Sequence, residues 1–145
     1  MDINTQVGWL AGARESSPEV REAGDALREH GMDWTVELHP VSTRIYSGGR
    51  EVKRRIDDNK AVVRMSDYVP LAVVGNDYTP IQHREAFGVL DMLVGDGKLV
   101  IDRVQSIKDG RKVMVVTRAP EPLMIAGEPT MRYQAWLNGH DGKTP

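Results

Sequence analysis

The sequence predicts an α+β domain: an antiparallel sheet built of hairpins, with two helices packed on one face. Three observations carry this. Alternating apolar and polar residues recur at 33–39, 61–74, 99–117 and 131–138, as half-buried strands require. Turn residues such as Asp109-Gly110 join neighbouring strands into hairpins. Helical spacing occurs in two stretches, 18–30 and 80–94, so helices and strands are segregated and do not alternate as in a parallel fold. The chain has 145 residues, of which 28% are charged and 40% hydrophobic. That balance suits one globular domain and argues against wholesale disorder.

Residues 1–16 show little periodicity and are expected to be an irregular lead-in to a single domain over 17–145. Ser17-Pro18 looks like a helix start, because serine accepts from an orphan N–H and proline at the first position loses nothing. Val20, Ala23 and Leu27 then share a face, and Gly31 supplies a left-handed cap after residue 30. The open face of this helix is acidic, with Glu19, Glu22, Asp25 and Glu29. Trp34, Val36 and Leu38 alternate with Thr35, Glu37 and His39, so a strand is predicted to end at Pro40. The polar stretch that follows, with Gly48-Gly49 and the basic run 50–55, is expected to be a long hairpin or a mobile loop.

Ala61–Met65 and Val69–Val74 are two further strands, turning at Asp67-Tyr68. Thr79-Pro80-Ile81-Gln82 has the pattern of a capping box, with Thr79 as the cap. The second helix should run to Val94 with His83, Phe87, Leu90 and Val94 on one face, and stop at Gly95-Asp96-Gly97. Leu99–Ile107 and Lys112–Thr117 flank Asp109-Gly110, a type I′ turn sequence. Pro120 and Pro122 make a connector. Leu123–Ile125, a turn at Gly127 and a last alternating strand over 131–138 complete the domain.

The chemistry is read by exclusion first. No cysteine is present, which excludes disulfides, Cys-rich zinc sites and a cysteine nucleophile. None of the four histidines is paired at helical spacing with another ligand, and His83 is expected at the rim of its helix's apolar face. Gly142-Lys143-Thr144 has the ending of a phosphate-binding loop, but Leu137 stands where that loop needs glycine. The serines lack the glycine setting of a nucleophile elbow. Asp57-Asp58 offers too few oxygens for calcium. These readings point away from an enzyme, with no catalytic residue, no metal ligand and no cofactor expected. With no signal sequence and no apolar run long enough to span a bilayer, the expected location is the cytoplasm.

Charge singles out one segment. The formal net charge is −2, which excludes a globally basic nucleic-acid binder. Residues 1–40 carry −5 and residues 65–145 carry −1, whereas 41–64 carry +4. In that block Arg44, Arg50, Lys53, Arg54 and Arg55 surround Tyr46. Single-strand binders use this mixture, cations tracking phosphates and rings stacking on bases. Arg103, Lys108, Arg111 and Lys112 extend the patch if the two hairpins lie side by side; Trp34 and Trp136 could also stack, but they are expected to be core or sheet-surface residues.

Several strings resemble one known family. Gly31-Met32-Asp33-Trp34-Thr35-Val36-Glu37-Leu38 is similar to the opening motif of a phage/plasmid-like family, domain of unknown function 932. The run from Val74 through Tyr78, Pro80 and Gln82 to Phe87 resembles its most telling motif, with His83 where asparagine is usual. Gly110-Arg111-Lys112-Val113 resembles its hairpin motif. Asn138-Gly139-His140-Asp141-Gly142 resembles its final one, with Gly139 in place of serine. The resemblance implies a phage origin and supplies no activity. Members of the family usually run longer, so a truncated member, a short natural form or a fragment is expected.

A helix followed by hairpins is also similar in outline to the single-strand annealing proteins of phages. The leading expectation is therefore a non-catalytic single-stranded nucleic-acid-binding or annealing protein of phage recombination, in the host cytoplasm, with Arg44, Arg50, Lys53, Arg54 and Arg55 on phosphates and Tyr46 on a base. The alternative is a module that captures a host protein through the acidic helix 18–30. A homo-oligomer fits either reading.

Overall fold

A computed structural model of the chain describes residues 14–15 and 22–143. The elements are β1 (Arg14–Glu15), α1 (Ala23–Glu29), β2 (Val36–Ser47), β3 (Arg50–Arg64), β4 (Val69–Gly75), α2 (His83–Gly95), β5 (Val100–Ile107), β6 (Lys112–Arg118), β7 (Leu123–Ile125), β8 (Glu128–Thr130) and β9 (Tyr133–Gly139). The α+β class is as the sequence predicts, and every strand pairing is antiparallel. The single expected sheet is instead three: β1-β5-β6-β9, β2-β3-β4 and the small β7-β8 hairpin. Arg14–Glu15 pairs with Val104 and Arg103, so part of the expected lead-in is an edge strand. The rest of residues 1–16 and the expected helix start at Ser17-Pro18 lie outside the described residues.

Both helices cover one face of the four-stranded sheet. Ala23, Ala26 and Leu27 of α1 and Phe87 and Leu90 of α2 close over Ile101, Val104, Val113 and Val115. In β5 the two inward residues are three apart, not two. A register shift between Ile101 and Arg103 inserts the extra residue and returns Val104 to the helix side. Arg103 thereby turns to the opposite face, where it is buried beside Asp102. It is not the surface cation that the extended patch requires. In β9, Trp136 and Asn138 pair with Val115 and Val113 and share their helix-covered side, whereas Leu137 stays exposed. The apolar set of that strand is thus on the other face.

Both helices end in the same device. Gly31 and Gly97 take positive φ, and the next two amides return to the last turn: Gly31 N–H to Arg28 O with Met32 N–H to Leu27 O, and Gly97 N–H to Val94 O with Lys98 N–H to Leu93 O. The starts differ from expectation. Thr79 does not cap α2, whose cap position is Gln82 with no side-chain bond to the helix. Gln82 instead spans two elements, accepting from Val36 N–H and donating to Val36 O, both at 2.9 Å. The first amide of α1 is satisfied from α2, with Ala23 N–H donating to Asp91 Oδ1.

The second sheet departs most from the sequence reading. β2 does not stop at Pro40. It crosses it at a register shift, where Pro40 pairs with Lys60 but Val41 with Ile56. β2 is an edge strand, so a residue without N–H costs no inner ladder bond, and the bulge absorbs the change. Gly48 and Gly49 both have positive φ, the two-residue turn that matches strand twist. Because β4 pairs only with residues 59–64 of β3, residues 41–56 form a two-stranded arm beyond the sheet. Val36, Val62, Leu71 and Val74 make the small core at its base.

Candidate functional site

The arm holds six of the nine residues expected to contact nucleic acid. Residues directly opposite in an antiparallel pair share a face. Ser42 faces Arg55, Arg44 faces Lys53, and Tyr46 faces Glu51. One face therefore presents Arg44, Lys53, Arg55 and Tyr46 together. The other pairs Thr43 with Arg54, Ile45 with Val52, and Ser47 with Arg50. The cluster read as one patch is thus divided, with Arg50 and Arg54 behind the ribbon beside Ile45 and Ile56. A strand that ends at Pro40, as the sequence predicts, supplies no register from which the faces could be sorted.

Tyr46 is 72% exposed, so its ring is open to a stacking partner. Arg44 lies 3.4 Å from Glu51, and Arg55 3.5 Å from Asp57. These are exposed pairs, weak in water and easily exchanged for a phosphate. Between 41 and 56 the arm carries five cations and one carboxylate.

The proposed extension does not join this face. The β5–β6 turn meets the second sheet at the opposite end of β3, where Arg64 Nη1 donates to Asp109 O at 2.9 Å. Arg55 lies beyond the bulge on the same strand. Arg111 Nε donates to Leu71 O at 2.8 Å, and Lys112 Nζ lies 3.6 Å from Asp141. Lys108, Arg111 and Lys112 belong to a different place on the molecule. Trp34 and Trp136 are partly buried against the helix core, and Trp136 Nε1 donates to Thr117 Oγ1. Neither is a free stacking platform.

That different place is where the four family-like strings meet. Trp34, from the first, stands edge-on to His83 of the second, with ring centroids 4.4 Å apart. His83 and His140, from the second and fourth, are 4.6 Å apart. His140 N–H donates to Arg111 O of the third at 2.7 Å. Gly110 has φ +88°, and a side chain there would run into the Arg64 guanidinium and the Trp34 ring. His83 is not at a rim: it is 1% exposed, and His140 is fully buried.

Hydrogen bonds assign the tautomers. Asn138 Nδ2 donates to Ile81 O at 2.8 Å and lies 3.1 Å from His83 Nδ1, which must therefore accept. His140 Nε2 donates to Ile81 O at 2.8 Å. His83 Nε2 and His140 Nδ1 are buried with no hydrogen-bond partner among the described residues. Burial, reinforced by the neighbouring His140, pushes His83 down to about 3, and burial also lowers His140. Both rings are neutral at pH 7, and they support the fold from beneath the surface.

The second and fourth strings also line a cleft of about 520 Å³, with Tyr78 and Ile81 from the one, Asn138 and Gly142 from the other, and the adjoining Lys143. Gly142 has φ +72°, and a Cβ there would meet Val74 Cγ1 at 2.8 Å, so only glycine lets this wall close. No cluster of three or more His, Asp or Glu side chains suited to a metal exists among the described residues. No helix among them is long and apolar enough to cross a membrane.

Fold and site together define an antiparallel α+β domain with a projecting basic ribbon and a motif-lined cleft. The chain belongs to the family described as domain of unknown function (DUF932), whose sequence model matches residues 70–144, just over half of the chain. That span includes the second, third and fourth strings, while Gly31–Leu38 and the arm precede it. No curated protein and no solved structure matches the chain.

Proposed function

We propose that the protein binds single-stranded nucleic acid without catalysing a reaction on it, and that it does so through one face of the arm. The observation that supports this reading best is the register, which brings Arg44, Lys53 and Arg55 onto the face that presents Tyr46. Same-face neighbours along a strand are about 6.8 Å apart, so the cations form a short rail beside an exposed ring. Nucleotide backbones offer regularly spaced anions, and every base has a face on which a ring can stack. Annealing in phage recombination, in a host cytoplasm, is the process in which such a binder is expected to act. The acidic helix gains no comparable support as a host-protein contact: Glu19 lies outside the described residues, and Asp25 pairs with Arg28 at 3.3 Å.

The register supplies a test that composition alone does not. Replacing Arg44, Lys53 and Arg55 by alanine strips one face; replacing Arg50 and Arg54 strips the other. In fluorescence anisotropy with a labelled oligothymidine at low salt, the first variant should lose at least tenfold in affinity and Tyr46→Ala several-fold. The second should lose much less. Equal losses from the two faces would show that only bulk charge matters and would defeat the assignment of a binding face.

A further inference from the structure

Beside the motif cleft lies a second pocket of about 370 Å³, and the two share Lys143. The second pocket is bordered by Lys108 and Arg111 of the β5–β6 turn, by Lys143 and Asp141, and by Leu71 to Val73 of β4. Three cations from two separate segments thus converge on one depression. The carboxylate among them is already engaged: Asp141 Oδ1 accepts from Lys143 N–H at 2.9 Å, and Lys112 Nζ stands 3.6 Å from its other oxygen. The residues bordering the pocket thus carry an excess of two positive charges, and Lys112 offsets Asp141 further from outside it. Arg111 is held in place through Nε on Leu71 O, so its planar fork is not free to swing away.

The larger cleft has a different character. Ile81 and the ring of Tyr78 give it apolar wall, and Tyr78 keeps its phenolic proton, because burial and nearby Asp141 push its pKa up. Its volume is within the range that holds a small organic ligand. A basic pocket and a ring-sized cleft meeting at one lysine match a ligand with an anionic end and a flat polar body.

We propose that this double pocket binds a nucleoside 5′-phosphate, with the phosphomonoester between Lys108, Arg111 and Lys143 and the nucleoside in the cleft beside Tyr78. The same chemistry occurs in a free mononucleotide and in the 5′-phosphorylated end of a strand. Lys143 is exposed and bonds through its backbone, so truncating its side chain leaves the structural contacts in place. The site does not include the arm, so it stands or falls independently of the function proposed above.

Isothermal titration calorimetry of the whole chain with adenosine 5′-monophosphate and with adenosine tests it. The monophosphate should bind at least tenfold more tightly than adenosine. Lys143→Ala and Lys108→Gln should each weaken it about tenfold, Lys143→Arg should restore it, and the Arg44/Lys53/Arg55 triple variant should leave it unchanged. A 5′-phosphorylated oligonucleotide too short to reach the arm, compared with its 5′-hydroxyl form, separates the sources. A phosphate preference there assigns the site to strand ends, and binding of the mononucleotide alone assigns it to a free nucleotide. Monophosphate binding no tighter than adenosine, or undiminished in both Lys143→Ala and Lys108→Gln, would overturn the proposal.

Discussion

A histidine buried neutral makes stability depend on pH, and the direction follows from linkage. In the unfolded chain His83 takes up a proton near its ordinary value of 6.5, whereas in the fold it does not until about pH 3. Its contribution is therefore complete above 6.5 and is lost as pH falls towards 3. Between pH 7 and 5 the loss from His83 alone should be about 2 kcal/mol, and His140, shifted in the same direction, adds to it. Urea denaturation at pH 7 and 5 measures this, and His83→Asn should remove its share of the difference. A pH dependence identical in that variant would mean the ring is not buried as described. Gly142 is the other single residue with a defined consequence. Alanine there must hold a left-handed backbone and crowd Val74, so Gly142→Ala should lower stability by about 1–3 kcal/mol, read from the shift in denaturation midpoint.

The helices and strands were legible where local chemistry decides them. Gly31 and Gly97 end their helices as the sequence indicates, and the Asp109-Gly110 turn takes positive φ at both positions. What escaped was decided by partners distant in sequence. Thr79-Pro80-Ile81-Gln82 has the composition of a helix cap, but Gln82 is claimed by Val36 and the chain enters α2 only at His83. Thr79→Ala should consequently change stability by less than about 0.5 kcal/mol. Asp91→Ala should cost roughly 1 kcal/mol, because it removes the acceptor that satisfies the first amide of α1. Thermal or urea midpoints of the two variants check the pair, and a larger loss for Thr79→Ala than for Asp91→Ala would reverse the assignment. Pro40 misled for a related reason: a proline closes a central strand but is tolerated on an edge beside a bulge. The split of the basic cluster could not be read until that register was known.

Across the whole molecule, two kinds of sequence signal lead to two places. The run of cations and the tyrosine mark the arm, which extends beyond the three-stranded part of its sheet and takes no part in the helix-covered core. The four family-like strings, separated by up to a hundred residues, fold onto one another around Trp34, His83 and His140, and the second and fourth of them line the motif cleft. Composition found the first because like charges cluster along one stretch of chain. It missed Lys143 and Arg111 as partners because they come together only when β6 and the segment after β9 are side by side.

The arm is proposed to bind single strands through charge and stacking. The measurement that tests it most directly is the salt dependence of binding to matched single- and double-stranded oligonucleotides by fluorescence anisotropy. Three cations on phosphates predict a log–log slope of about −2 for the single strand, tighter binding to it than to the duplex, and a slope near zero in the Arg44/Lys53/Arg55 triple variant. No binding to the single strand at low salt, where attraction between charges is strongest, would contradict the account.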